Sequence, residues 1–286
     1  MAHYKLLSIL AHPDDESMGA GGIFAKYAAE GVETYLITAT RGERGWSDKE
    51  KEYPGPQALG KIREKELQAA TRLLGIKETH LLGYMDGELD QADPGEVIGK
   101  LVDLLRKIRP DVVVTFGPSG YYGHPDHIAI SQFTMAAVLA AAGAGFWGEK
   151  GLPPHRVAKV YYLAPNRAEQ EIFQAAFGEL VMDVDGVKRK AQPWPDWAIT
   201  TRIDTRDYWD LVWKAISCHR TQLPDYEALK ELPEEIQKSL WGTQTLYRAL
   251  STVNGGREVE RDLFSGLNGT DPENAAPVPE MHVLIG

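Results

Sequence analysis

Up to about Ala142 the chain repeats one pattern four times: a short apolar run followed by a stretch of helical length. The apolar runs are residues 5–11, Glu33–Thr40, His80–Leu82 and 111–116. The helical stretches run from Ser17 to Glu30, from about Ala58 to Leu74, from about Pro94 to Ile108, and from His127 to about Ala142. Strand alternating with helix predicts a parallel sheet covered on both faces, because each crossover returns its helix to one side of the sheet. The expected fold is therefore α/β, Rossmann-like and doubly wound, with a mostly parallel sheet and a C-terminal extension.

The rest of the chain is less regular. Lys159–Leu163 reads as a fifth strand, Ala168–Phe177 as a helix and Ala198–Ile203 as a later strand. Thr205 is expected to cap a helix carrying Trp209, Trp213 and His219, and Asp225–Leu240 reads as a helix broken near Pro233. We expect one domain over residues 1–255, with its core in 1–165 and cap elements in 166–255, followed by a partly flexible arm over 256–286. Gly19, Gly21 and Gly22 sit near the start of the first helix, but their spacing lacks the full dinucleotide fingerprint and no acidic residue ends the second strand.

Two chemistry-bearing turns follow two of these strands. Ala11-His12-Pro13-Asp14-Asp15-Glu16 ends the first, and His124-Pro125-Asp126-His127 comes soon after the fourth. In a sheet of order 3-2-1-4-5, strands one and four are neighbours, and ligands bind in the crevice beyond their carboxyl ends. Two histidines and several carboxylates converging there suit a metal ion. His12, Asp15 and His127 with an open position match a catalytic zinc, one per chain. Two imidazoles and a carboxylate also form the facial triad of non-haem iron enzymes, so Fe2+ is the alternative metal. Asp14 is left beside the metal as a free carboxylate.

Composition closes off other classes. Lys and Arg number 31 against 41 Asp and Glu, giving a net charge of −10, which argues against non-specific nucleic-acid binding. The single cysteine, Cys218, excludes an internal disulfide framework. No stretch approaches the ~20 apolar residues of a membrane span, and no signal-peptide core is present, so a cytoplasmic protein is expected.

The paired His-Pro-Asp-Asp and His-Pro-Asp-His motifs resemble those of the PIG-L/LmbE-like zinc deacetylases, which act on N-acetylglucosamine conjugates. Thr40-Arg41-Gly42-Glu43, Arg63-Glu64-Lys65-Glu66-Leu67, the Asp86-Gly87 loop and His219-Arg220-Thr221-Gln222 extend the resemblance over most of the chain. Tyr122 and the late Glu260–Leu267 run resemble the mycothiol deacetylase and mycothiol conjugate amidase branch. The resemblance implies an amidohydrolase that removes an acetyl group from a small amino-sugar conjugate, or an amidase acting on a thiol conjugate. It agrees with zinc on His12, Asp15 and His127, and with Asp14 as general base. It implies an imidazolium at His124 facing the developing oxyanion, a further hydrogen bond from Tyr122, and Asp126 orienting His124. Arg63 and Asp86 become candidates for the sugar hydroxyls, with Arg41 and Glu43 in support. A homo-oligomer is also expected.

Overall fold

The computed structural model describes residues 3–48, 51–145, 151–179, 181–184, 186–253, 256 and 258–267. Five strands, β1 (Lys5–Leu10), β2 (Glu33–Thr40), β3 (Glu78–Tyr84), β4 (Val112–Phe116) and β5 (Lys159–Leu163), pair in parallel in the order β3-β2-β1-β4-β5. Their central members are almost wholly buried, with every residue of β4 inside, as expected for parallel strands covered on both faces. Helices α1 (Asp15–Ala29), α2 (Pro56–Leu73), α3 (Pro94–Ile108), the short α4 (Gly120–Gly123) and α5 (Pro125–Ala141) fill the crossovers. The expected sheet order and the alternation are both found.

The C-terminal part adds an antiparallel edge. After α6 (Arg167–Phe177) come a hairpin, β6 (Val181–Val184) with β7 (Val187–Lys190), and then β8 (Thr201–Asp204). Next are α7 (Trp209–Ile216), α8 (Leu223–Lys230), α9 (Glu234–Trp241) and β9 (Thr243–Ser251). Strand β9 runs antiparallel between β5 and β8, extending the sheet to seven strands.

Several expected boundaries shift. The later strand begins at Thr201 rather than Ala198, because Asp196–Ala198 forms a 3-10 turn. Thr205 makes no side-chain cap, and α7 ends at Ile216, so His219 lies in the turn beyond it.

The N-terminal glycines of α1 serve close packing. A Cβ on Gly22 would stand 2.8 Å from the Thr205 side chain, and one on Gly19 would stand 2.9 Å from Leu163 Cδ1. Their role is helix-to-edge contact, with no phosphate cradle required.

Glu260 fastens the chain beyond β9 to the sheet. It accepts from Lys159 Nζ at 2.7 Å, Tyr161 OH at 2.7 Å and Arg248 Nη1 at 2.8 Å. Leu263, Phe264 and Leu267 then bury against the main core. Part of the arm expected over 256–286 is thus packed, and its residues from 268 onward lie outside the described residues. Among the described residues, no helix is long and apolar enough to cross a membrane.

Candidate active site

The carboxyl end of β1 turns sharply into α1 through Asp14, whose backbone sits at φ 104°. A left-handed Asp is strained by about 1–3 kcal/mol and needs external support. Three side chains provide it. Glu16 Oε2 accepts the Asp14 N–H at 2.9 Å, while Arg63 Nη2 and Tyr226 OH donate to Asp14 Oδ2 at 3.0 and 2.9 Å. Arg63, 3% exposed, also donates to the carbonyls of Pro13 and Gly42 at 2.5 and 3.0 Å.

Asp15 is the first residue of α1 and folds back, so that Oδ2 accepts the N–H of His12 at 2.7 Å and of Ala11 at 3.2 Å. Across the crevice, α5 opens with His124 as its N-cap and His127 in its first turn. His127 Nε2 comes within 3.2 Å of His12 Nδ1, though 115 residues separate them. Asp15 Oδ1 lies 3.5 Å from His127 Nε2, and its Oδ2 lies 3.7 Å from His12 Nδ1.

The other ring nitrogen of His12, Nε2, faces Asp126 Oδ2 and Asp86 Oδ1, both at 3.1 Å. Carboxylates in that position fix the Nε2–H tautomer and leave the Nδ1 lone pair free, the usual arrangement behind a metal-bound imidazole. Donor atoms of His12, His124 and His127 lie within 4.8 Å of one another, as do those of His12, Asp86 and Asp126. The second group is the tautomer-fixing side of His12. The first, with Asp15 beside it, is where a cation fits the donor set.

Electrostatics agree that the cluster needs positive charge. Burial opposes protonation of His12, yet Asp126, Asp86 and Asp15 outweigh it and hold its pKa up to about 10. Burial also raises Asp15 to about 7, against the pull of His12. Burial and the charge on His12 keep His127 neutral, with its pKa held well below the usual histidine value. A proton on His12 is thus what balances these carboxylates when no metal does.

Two expected roles change. The Asp126 carboxylate does not orient His124: besides His12, it accepts the N–H groups of Gly87 and Leu89 at 2.8 and 3.1 Å. The link to His124 runs through the Asp126 backbone, whose N–H donates to His124 Nδ1 at 3.2 Å. That bond makes Nδ1 an acceptor and Nε2 the donor of a neutral ring. Burial and the nearby His12 lower His124 to about 4, so the expected imidazolium is replaced by a neutral Nε2–H imidazole.

Arg63, Asp86, Tyr122 and His124 line a cavity of about 580 Å³ above the cluster. The Tyr122 ring lies 5.5 Å from that of His127 and 5.9 Å from that of His124, and burial raises its pKa, so it remains a hydroxyl donor. Arg41 and Glu43 are not among the cavity-lining residues. Arg41 pairs with Glu64 at 2.9 Å, and Glu43 ties the loops together by accepting the N–H groups of Arg41 and Asp86. Trp194 stacks on Tyr247 and Trp197 is 86% exposed, and neither is among the cavity-lining residues.

Sequence reasoning passed over Tyr226 and left Glu16 without a role. Glu16 Oε1 bonds to His219 Nε2 at 2.7 Å, both side chains wholly buried. The signal available was the His219–Gln222 element: Tyr226 follows Gln222 by one helical turn.

The PIG-L model, described as GlcNAc-PI de-N-acetylase, matches residues 7–138. A Kineococcus radiotolerans protein named 1D-myo-inositol 2-acetamido-2-deoxy-alpha-D-glucopyranoside deacetylase is 34% identical, over 92% of this chain and 83% of its own. A mycothiol S-conjugate amidase of Streptomyces coelicolor is 30% identical, over 92% and 97%. The N,N'-diacetylchitobiose deacetylase of Pyrococcus horikoshii superimposes with a TM-score of 0.65 at 25% identity, covering 85% of this chain and 83% of its own. On these likenesses, joined to the two converging motifs, the chain belongs to the PIG-L family.

Proposed function

We propose that this protein is a metal-dependent amidohydrolase that removes the acetyl group from an N-acetylglucosamine-type conjugate. The reading rests on one observation above all: Asp14 is held beside the His12–Asp15–His127 donor set but bonded away from it, to Arg63 and Tyr226. A residue kept next to metal donors without joining them is suited to moving a proton. The substrate class follows the names of three relatives, two of them deacetylases of acetamido-sugar or diacetylchitobiose substrates and one a mycothiol S-conjugate amidase.

His12 Nδ1, Asp15 and His127 Nε2 would hold the metal, and we assign zinc. Bound there, it would lower the pKa of a water and polarise the amide carbonyl. Asp14 takes the proton of the attacking water as general base and returns it to the departing amine. His124 Nε2–H and the Tyr122 hydroxyl face the cavity as donors to the oxygen that becomes negative. Both are neutral donors, so they stabilise that charge without drawing the proton Asp14 must handle. Asp86 and Arg63, which line the cavity on the same side, are placed to meet sugar hydroxyls.

The test is acetate and free-amine release across a panel of N-acetylglucosaminides, with bound metal measured on the same samples. Acetate release that tracks zinc content supports the reading. Stoichiometric metal with no amide cleaved on any member of the panel overturns it.

A further inference from the structure

The cavity has two unlike walls, and the sheet order explains their placement. The catalytic cluster sits over β1 and β4, at the middle of the sheet. On the β2–β3 side the lining is polar, with Arg63, Asp86 and Gly45 following or crossing those strands. On the β5–β9 side it is apolar: Leu163 ends β5, Phe173 and Phe177 come from α6, and Leu240 and Trp241 end α9. Met18, half-buried on α1, completes that wall.

Two polar side chains on the apolar side are already engaged: Gln244 donates to Gly19 O at 2.7 Å and accepts from Ile23 N–H, and the Thr245 hydroxyl donates to Ala164 O at 2.7 Å. Trp241 Nε1 is buried without a hydrogen-bond partner, and Glu169 adds a carboxyl group that burial pushes up to about 7. Around these few polar groups the side chains named above present hydrocarbon.

An amide lying across the cluster must point its two halves in opposite directions. With the sugar amine over the charged β2–β3 wall, the acyl group enters the β5–β9 chamber. An acetyl methyl would fill only a small part of it. Resting on the amidohydrolase reading above, we infer that the preferred substrate is an amino-sugar amide whose acyl group is apolar and larger than acetyl. Hydrolysis then releases the free amine and the corresponding carboxylic acid, with one water consumed. Acetyl is the smallest group the chamber accepts.

The experiment compares kcat/KM for N-acetyl-, N-butanoyl- and N-octanoylglucosamine, followed by amine release on the metal-loaded enzyme. The octyl glycoside of N-acetylglucosamine serves as the control for an apolar group on the other side of the sugar. Each buried methylene contributes up to about fourfold to binding, so N-octanoyl should exceed N-acetyl at least tenfold. Phe177→Asp should bring that ratio back towards one. Met18→Ser, at a half-buried position on the same wall, provides a second probe should the first variant fold poorly. Equal or falling kcat/KM with acyl length overturns the inference while leaving the amidohydrolase reading intact. So does a gain confined to the octyl glycoside, which would place the aglycone in the chamber. Failure to cleave any of these amides removes both readings together.

Discussion

The two turns that make the site are built in opposite ways. His124–His127 settles its imidazoles locally: Asp126 N–H donates to His124, and His127 stacks on Phe116 with ring centroids 3.9 Å apart, while its one carboxylate, Asp126, is held by backbone N–H groups of the Gly87–Leu89 loop. His12–Asp15 carries two carboxylates and a strained backbone, and it borrows side-chain support from α2, α8 and the turn after α7. Imidazoles can be held neutral by burial alone, whereas buried carboxylates need a donor or a cation for each lone pair. The proton-handling half of the site therefore depends on side chains from distant parts of the chain more heavily than the second turn does.

Substitutions can separate the two. The largest effect is expected from Asp14→Asn, which should lower kcat by about 10²–10⁴-fold while zinc content, measured by atomic absorption, stays stoichiometric. Loss of metal in that variant would mean the two turns are not separable. Next comes His219→Leu, which leaves Glu16 buried without its partner and should cost about 3–5 kcal/mol in denaturant unfolding.

The pH dependence of that loss is also specified. The carboxylate of Glu16 holds His219 above its usual pKa against burial, so the histidine's contribution is complete below about 6.5 and fades as pH rises. Glu16 is held below its usual value despite burial, chiefly by His219, so its contribution is present above about 4.5 and fades in acid. The difference in stability between wild type and variant should peak between those limits. A flat difference from pH 4 to pH 9 would deny the pair its charged state.

Tyr226→Phe removes one of two donors to Asp14 Oδ2 and should reduce kcat about tenfold, matching the ~1.5 kcal/mol of a hydrogen bond to a charged group, with KM little changed. The smallest effect is expected beside the second turn, in α4. Tyr122→Phe should reduce kcat about three- to tenfold with no change in zinc affinity, consistent with a neutral donor among several. A larger loss at Tyr122 than at Tyr226 would reverse the comparison.

How much of this could be read from the sequence depends on how local each cause is. The apolar runs of β1, β2, β4 and β5 announce strands because burial on both faces admits little else, whereas the alternation by itself allows more than one doubly wound order. The convergence of His12, Asp15 and His127, the proposed metal donors, was legible because each motif sits a few residues past such a strand. Strand β9 was not, since Thr243-Gln244-Thr245-Leu246-Tyr247-Arg248 has no apolar run and becomes a strand only through the edges of β5 and β8. Tyr226 reaches Asp14 across 212 residues, a contact no spacing rule encodes. Asp126 misled through proximity: two residues from His124, it extends from the first turn of α5 towards the Gly87–Leu89 loop.

The position of β9 between β5 and β8 also has a consequence for how the protein comes into being. All three proposed metal donors lie before β5 ends, whereas His219, Tyr226 and the antiparallel edge leave the ribosome later. Chains fold broadly from the N-terminus as they are made. A nascent chain can thus gather its histidines, and bind its ion, before the residues that steady Asp14 exist. Order of synthesis alone separates the gathering of an ion from the steadying of the carboxylate beside it.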